Sequence, residues 1–308
     1  MHQVVLTSRW MAAARARESE HPDRLFNDPL AAALAGPEGF AWLDRMEPAA
    51  RLCGPGLYAV VRTRFFDDFL LHASKSTGAR QLVILAAGLD ARALRMEWPP
   101  GTRLYELDRP EVIATKESVI ARAGACPTCE RRVIEADLER PSWSAALLEA
   151  GYEVQEPSVW LVEGLSFYMT AAAVRALLGD ASALAPPLSH LGADLVNRDL
   201  LISPVMWPLL GAFFLCGAMG HFCTNDPEAL FAEHGWEAEV TQPGGRGANY
   251  GRWPYPVMPR GVPGVPRLYL VRAQRAREPP ASASLPARGD GRVPSPRLRA
   301  VGSTHFPV

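Results

Sequence analysis

The sequence predicts an α/β fold: a doubly wound, mostly parallel, seven-stranded, Rossmann-like sheet with an N-terminal helical region and a helical cap. Three observations predict it. A wholly apolar run, Leu82 to Ala87, stops at Gly88 and is followed by a short polar turn holding Asp90 and Arg92. About twenty residues on, a second run, Arg103 to Leu107, brings Glu106 and Asp108 to its end. Downstream, further short apolar runs alternate with helical segments, the pattern of a sheet covered on both faces.

Taken in order, residues 7–18 and 57–73 read as helices; in the second, Val60, Val61, Phe65, Phe69 and Leu70 recur at helical spacing. Strands are expected at 82–87, 103–107, 131–135, 158–163, 190–196, 236–241 and 267–272, and helices at 109–123, 142–150, 170–184 and 226–234. Residues 242–266 are rich in Gly and Pro and read as an irregular connection. The domain therefore spans 1–275, with a cap inserted at about 198–225. From 276 to 308 Pro, Ser, Ala, Arg and Gly replace core formers, the composition of a disordered tail.

Composition narrows the function classes. A hydrophobic content of 48% with a net charge of −1 describes an ordinary enzyme-sized domain with ample core and no basic excess for nucleic acid. The N-terminus carries no apolar signal region, so a cytoplasmic location is expected. The five cysteines form no framework: Cys126-Pro-Thr-Cys129 resembles half a zinc knuckle, but Cys53, Cys216 and Cys223 supply no second pair, and no metal is expected. Residues 200–222 contain no Asp, Glu, Lys or Arg. Pro204 and Pro208 interrupt the stretch and no basic cluster flanks it, so it reads as a buried helix pair or a lid rather than a membrane span. As a lid, it would line an apolar pocket with Trp207, Phe213, Phe214 and Phe222. The partners expected are a small-molecule substrate and, compatibly, a second copy of the chain as a homodimer.

Strand, glycine turn, short helix, strand, acid is the order that presents a nucleoside to the ends of two neighbouring strands. A pyrophosphate needs several glycines opening a helix. Here Ala86-Ala87-Gly88-Leu89-Asp90 offers one glycine and a carboxylate that repels phosphates but suits the sulfonium and ammonium of S-adenosylmethionine.

The chain resembles class I S-adenosylmethionine-dependent methyltransferases of the leucine carboxyl methyltransferase group, in particular a bacterial branch similar to the polyketide carboxyl O-methyltransferase of tetracenomycin biosynthesis. The resemblance rests on ARESEHPDRLFNDPLAAALAG (16–36), VRTRFFDDF (61–69), ILAAGLDARALR (84–95), YELDRPEVIATK (105–116), EADL (135–138), VWLVEGLSFYM (159–169) and PGVPRLYLVRA (263–273). It implies that Arg62 pairs with the methionine carboxylate and that Ala86, Gly88 and Asp90 shape the turn around the methionine moiety. Asp108 would hold the ribose hydroxyls, with Glu106 structural, and Asp137 and Leu138 would flank the adenine. Glu163 would lie at the transfer site and Tyr168 would close its wall. The chain departs from the group's usual Gly-Ala-Gly at Ala86-Ala87-Gly88, which is accommodated where φ is ordinary, and has Ala91 where threonine is usual.

Methyl transfer from a sulfonium requires mainly an aligned oxygen. A carboxylate acceptor needs a counter-charge, for which Arg198 and Arg246 are candidates, and a phenol needs a base, for which His221 is the candidate. The sequence therefore predicts a small-molecule O-methyltransferase acting on a carboxylate of an aromatic or polyketide-like metabolite. The alternatives are a phenolic O-methyltransferase, a protein C-terminal carboxyl methyltransferase and a non-catalytic cofactor-binding protein.

Overall fold

The computed structural model describes residues 3–46, 55–215 and 221–276. Three helices open the chain: α1 (Gln3–Glu20), α2 (Ala31–Met46), kinked where Gly36 precedes Pro37, and α3 (Pro55–Thr77). The alternating part follows as β1 (Gln81–Leu85), α4 (Arg92–Arg95), β2 (Arg103–Asp108), α5 (Pro110–Ala123), β3 (Glu130–Glu135), α6 (Ser142–Glu149), β4 (Ser158–Val162), α7 (Ala171–Leu184) and β5 (His190–Val196). Then come α8 (Arg198–Ile202), α9 (Trp207–Leu215), α10 (Pro227–Ala232), β6 (Trp236–Thr241) and β7 (Leu268–Arg275). All the expected strands are present within two or three residues at their ends. The helix α2 was not anticipated, because Gly36 and Pro37 break its apolar pattern.

The strands form one sheet in the order β3-β2-β1-β4-β5-β7-β6. The first five are parallel, and β7 runs antiparallel to both β5 and β6. Its centre is buried on both faces, so β1 (QLVIL) and β4 (SVWLV) are buried throughout and read as continuous apolar runs. Alternate residues serve opposite layers. Val83 and Leu85 join Trp143, Trp160 and Leu177 in one core, while Leu82 and Ile84 join Phe65, Phe66 and Leu70 of α3 in the other. At Gly192 on β5 a Cβ would lie 2.8 Å from the Phe69 ring, so the absent side chain is what lets α3 sit on the sheet. A third core, built from Trp10, Leu34, Leu43 and Leu89, fixes α1 and α2 above the strand ends.

The strand order reverses between β1 and β4, and that switch point opens a crevice at the carboxyl ends of the parallel strands. Of the lid stretch, residues 200–215 are mainly helical and buried on one side only: Leu200 and Met206 are buried, whereas Trp207 is 62% and Phe214 64% exposed. No helix of the described residues is long and apolar enough to cross a membrane. Cys53 and Cys216 and the expected tail from residue 277 onward lie outside the described residues.

Candidate functional site

A cavity of about 500 Å³ occupies the crevice. Its floor is the turn after β1, where the chain leaves a fully buried strand and must bend sharply. Gly88 has φ +50, and Ala86 has φ +56. Ala86 therefore does not meet the condition under which alanine is accommodated without cost. The position is the left-handed one that glycine occupies without penalty, and here a methyl group is held in it. A Cβ on Gly88 would lie 3.1 Å from Ser8 Oγ of α1, so this glycine also makes room for the helix overhead.

Asp108, ending β2, accepts the Gly88 N–H at Oδ2 (2.6 Å) and the Arg109 N–H at Oδ1 (2.7 Å). Burial pushes its pKa up, opposed by these two bonds. Each oxygen keeps a second lone pair, and the residue lines the cavity. Asp137 and Leu138, just past β3, line the same end. Asp137 is half exposed and accepts the Glu139 N–H at 3.1 Å. Glu106, its carboxylate shared between Lys116 and Arg131 at 2.7 Å each, is a buried structural group away from the cavity, as expected.

Between the ends of β4 and β5 lies a chain of alternating charges. Arg62 of α3 places Nη1 2.8 Å from Asp194 Oδ2 and Nε 2.9 Å from Glu163 Oε1. Its Nη2 has no protein partner among the described residues. Glu163 Oε2 lies 2.9 Å from Nη1 of Arg92, itself only 2% exposed and paired with Asp90 and with Asp67 (2.7 Å). Asp67 also takes Arg95 at 2.7 Å. For Asp90, burial pushes the carboxyl up, but Arg92, with Lys116 and the Arg92 N–H, more than offsets it and holds the pKa at about 2. Asp90 is thus turned towards Arg92 as well as bordering the cavity.

Sequence reasoning missed two parts of this arrangement. Asp194 also accepts the Tyr58 hydroxyl (2.9 Å) and the Gly164 N–H (2.6 Å), and so joins α3, β5 and the turn after β4. An acid near the end of an apolar strand was the available signal, as at Asp108. The other part is α1, whose Thr7, Ser8, Trp10, Met11 and Arg15 roof the cavity. Arg15 binds Asp28 (2.8 Å) and the Leu89 carbonyl (2.6 Å), latching the roof to the glycine turn. Periodicity marks α1 as a helix without saying which face it covers.

The opposite end of the cavity is aromatic and apolar. Phe213 of α9 lies with its ring centroid 5.4 Å from Trp10 and 5.5 Å from Phe167, and Tyr168 is 5.2 Å from Phe167. Leu200, Met206 and Leu209 complete this wall, and His221 borders it, its backbone N–H bonded to the Phe167 carbonyl at 2.9 Å. Of the four aromatic groups expected in the lid, only Phe213 lines the cavity. Trp207 and Phe214 point to solvent, and Phe222, 6% exposed, belongs to the sheet core. The reason is helical: Phe213 and Phe214 are about 100° apart around α9, so only one can face inward. Neither Arg198 nor Arg246 lines the cavity. No group of three or more His, Cys, Asp or Glu among the described residues is arranged to hold a metal. Cys126 is exposed, and burial beside Glu106 pushes the Cys129 thiol up to about 11.

The family profile of leucine carboxyl methyltransferases matches residues 8–182. The chain belongs to the leucine carboxyl methyltransferase family. It is 45% identical over 243 residues to a Parafrankia protein named "Putative S-adenosyl-L-methionine-dependent methyltransferase", an alignment covering 76% of each. It is 38% identical over 257 residues to a protein of the same name from Streptomyces coelicolor, covering 81% of this chain and 88% of the relative. Among solved structures, the fold is shared with a DUF574 family protein from Streptomyces avermitilis (TM-score 0.59, 14% identity, 86% and 96% of the two chains). It is shared as well with a protein from Thermobifida fusca whose structure is titled a putative methyltransferase (TM-score 0.56, 17% identity, 85% and 94%).

Proposed function

We propose that this protein transfers a methyl group from S-adenosylmethionine to an oxygen of a small, ring-bearing, largely apolar acceptor. Membership of the family makes the chain an S-adenosylmethionine-dependent methyltransferase. The finer reading rests on one observation: a cavity whose polar half fits the cofactor is continuous with an aromatic half from which arginine and lysine are absent among the described residues.

The residues present fit the cofactor. Asp108 retains an acceptor lone pair on each oxygen for two ribose hydroxyls, the unpartnered Nη2 of Arg62 suits the methionine carboxylate, and Asp137 with Leu138 suits the adenine amine and ring. Arg62 thus contributes the single nitrogen Nη2 rather than the whole fork, because Nη1 is bonded to Asp194 and Nε lies 2.9 Å from Glu163. The bound cofactor supplies a methyl group already activated by the sulfonium. The chain's part is to orient the partners and exclude water. Glu163, with each oxygen ion-paired to an arginine, is suited to fixing Arg62 and stabilising positive charge. Tyr168, Phe167 and Phe213 form a wall against which a flat acceptor packs.

A protein C-terminal acceptor would call for a polar groove, and the aromatic wall speaks for a small molecule. Truncating that wall provides the test. With labelled cofactor and an aromatic acceptor, Phe213→Ala should raise the acceptor KM roughly tenfold, the loss of about 1.5 kcal/mol or more of apolar contact. The affinity for S-adenosylhomocysteine should stay within about twofold. An unchanged KM would remove the acceptor from this end of the cavity.

A further inference from the structure

The guanidinium of Arg62 is held from three directions. Asp194, 8% exposed near the end of β5, places Oδ2 2.8 Å from Nη1, and Glu163 lies 2.9 Å from Nε. Cζ sits over the Tyr58 ring, 5.1 Å from its centroid. The Tyr58 hydroxyl donates to the same Asp194 Oδ2 at 2.9 Å, so Tyr58 steadies Arg62 twice, by its ring face and through the acid. Asp194 is itself fixed. Its Oδ1 accepts the Gly164 N–H at 2.6 Å, and its backbone carbonyl accepts the Ser166 hydroxyl at 2.8 Å. A Cβ on Gly164 would lie 3.3 Å from Nη1 and 3.6 Å from Nη2, so the bare glycine leaves the space that the guanidinium occupies. Of the two Arg62 nitrogens without a hydrogen bond among the described residues, Nε is sealed from solvent and Nη2 is not.

By charge alone, an acid this close is a rival of any ligand carboxylate for Arg62. Geometry works in the other direction. Held only at Nε, the guanidinium could turn its Nε–Nη2 edge onto Glu163 and pair with it bidentately, which would take Nη2 out of the cavity. Asp194 prevents that turn by fixing Nη1. We propose that Asp194, backed by Tyr58, is a positioning residue for the cofactor: it keeps Nη2 of Arg62 free and facing the cavity, where the methionine carboxylate binds. The turn that Asp194 pins continues into Phe167 and Tyr168, so one acid ties the carboxylate end of the cofactor to the aromatic wall. This deepens the methyltransferase reading above and rests on its assignment of Arg62 to the methionine carboxylate.

The test is calorimetric titration of the full chain with S-adenosylhomocysteine and with 5′-methylthioadenosine, which keeps the nucleoside and the thioether but has no carboxylate. Asp194→Asn is nearly isosteric and removes the charge that Arg62 and Tyr58 share. It should weaken S-adenosylhomocysteine about tenfold or more and leave 5′-methylthioadenosine within about twofold. Removal of a rival charge alone would tighten S-adenosylhomocysteine, so the sign of the change separates positioning from simple electrostatics. In an Arg62→Ala background, Asp194→Asn should cost less than about twofold more, because the acid acts through that arginine. Tyr58→Phe keeps the ring and loses one donor to Asp194. It should weaken S-adenosylhomocysteine about threefold with 5′-methylthioadenosine unchanged, and it decides the matter if Asp194→Asn does not fold. Unchanged or tighter binding of S-adenosylhomocysteine overturns the inference. So do equal losses for the two ligands, which mark a purely structural role, and a full loss that persists without Arg62. If Arg62→Ala binds S-adenosylhomocysteine as wild type does, the assignment of Arg62 falls, and the inference with it. If wild type binds neither ligand, the cofactor reading itself falls.

Discussion

Ala86 and Asp90 sit four residues apart in one turn and carry opposite energetic signs. A left-handed φ costs an L-residue about 1–2 kcal/mol, and glycine gives back part of that in chain entropy. Ala86→Gly should therefore stabilise the protein by about 0.5–1 kcal/mol, seen as a higher urea midpoint at unchanged m-value. A lower midpoint would mean that the methyl group makes a contact worth more than the strain. Asp90 works the other way. Its folded pKa of about 2 lies below the ordinary 3.8, so folding favours the ionised form. That contribution, about 2 kcal/mol, is whole above roughly pH 5 and is lost as pH falls through about 2. Asp90→Asn should cost about that much at pH 7 and should flatten the acid limb of the stability profile between pH 5 and 2. A parallel-shifted profile would show that Asp90 is not the group responsible. Gly88, Asp108 and the acid in the turn could be read from the chain, because strand ends and turn residues announce themselves in order. The φ of Ala86 could not, since a dihedral angle depends on where the turn must deliver the chain.

Among the elements, the parallel strands were the easiest to anticipate and α1 the hardest to interpret. Strands buried on both faces, such as β1 and β4, leave unbroken apolar runs whatever surrounds them. The side of α1 that roofs the cavity is set instead by distant partners, Asp28 and the Leu89 carbonyl, with which Arg15 pairs. The lid shows the same limit. Its helicity follows from composition, but the choice of Phe213 over Phe214 for the inner face depends on how α9 rotates against Trp10 and Phe167. The Asp28 side chain is fully buried, so Arg15→Ala would strand a carboxylate whose remaining cation, Arg95, is 3.9 Å away. Loss of about 3 kcal/mol in urea unfolding is expected, together with faster proteolysis within α1 than elsewhere. A change below about 1 kcal/mol would show that α1 is held by its apolar face alone.

For the molecule as a whole, the sheet order places two kinds of chemistry on either side of one switch point. The ends of β2 and β3 supply Asp108, Asp137 and Leu138, and the segments after β4 and β5 supply the aromatic wall, with the charge chain of Arg62, Glu163, Arg92 and Asp194 between them. A ligand that occupies the polar half alone should hold the folded state by mass action, by about 2.7 kcal/mol at a hundredfold excess over its Kd. The acid that closes β2 is where this division of labour is most exposed to experiment. Calorimetric titration with S-adenosylhomocysteine should give one site per chain in wild type and an affinity roughly 10- to 100-fold lower in Asp108→Ala, about 1–3 kcal/mol for hydrogen bonds lost at a buried carboxylate. No saturable heat in wild type, or equal affinity in the two proteins, would contradict the placement of the nucleoside at the ends of β1 and β2.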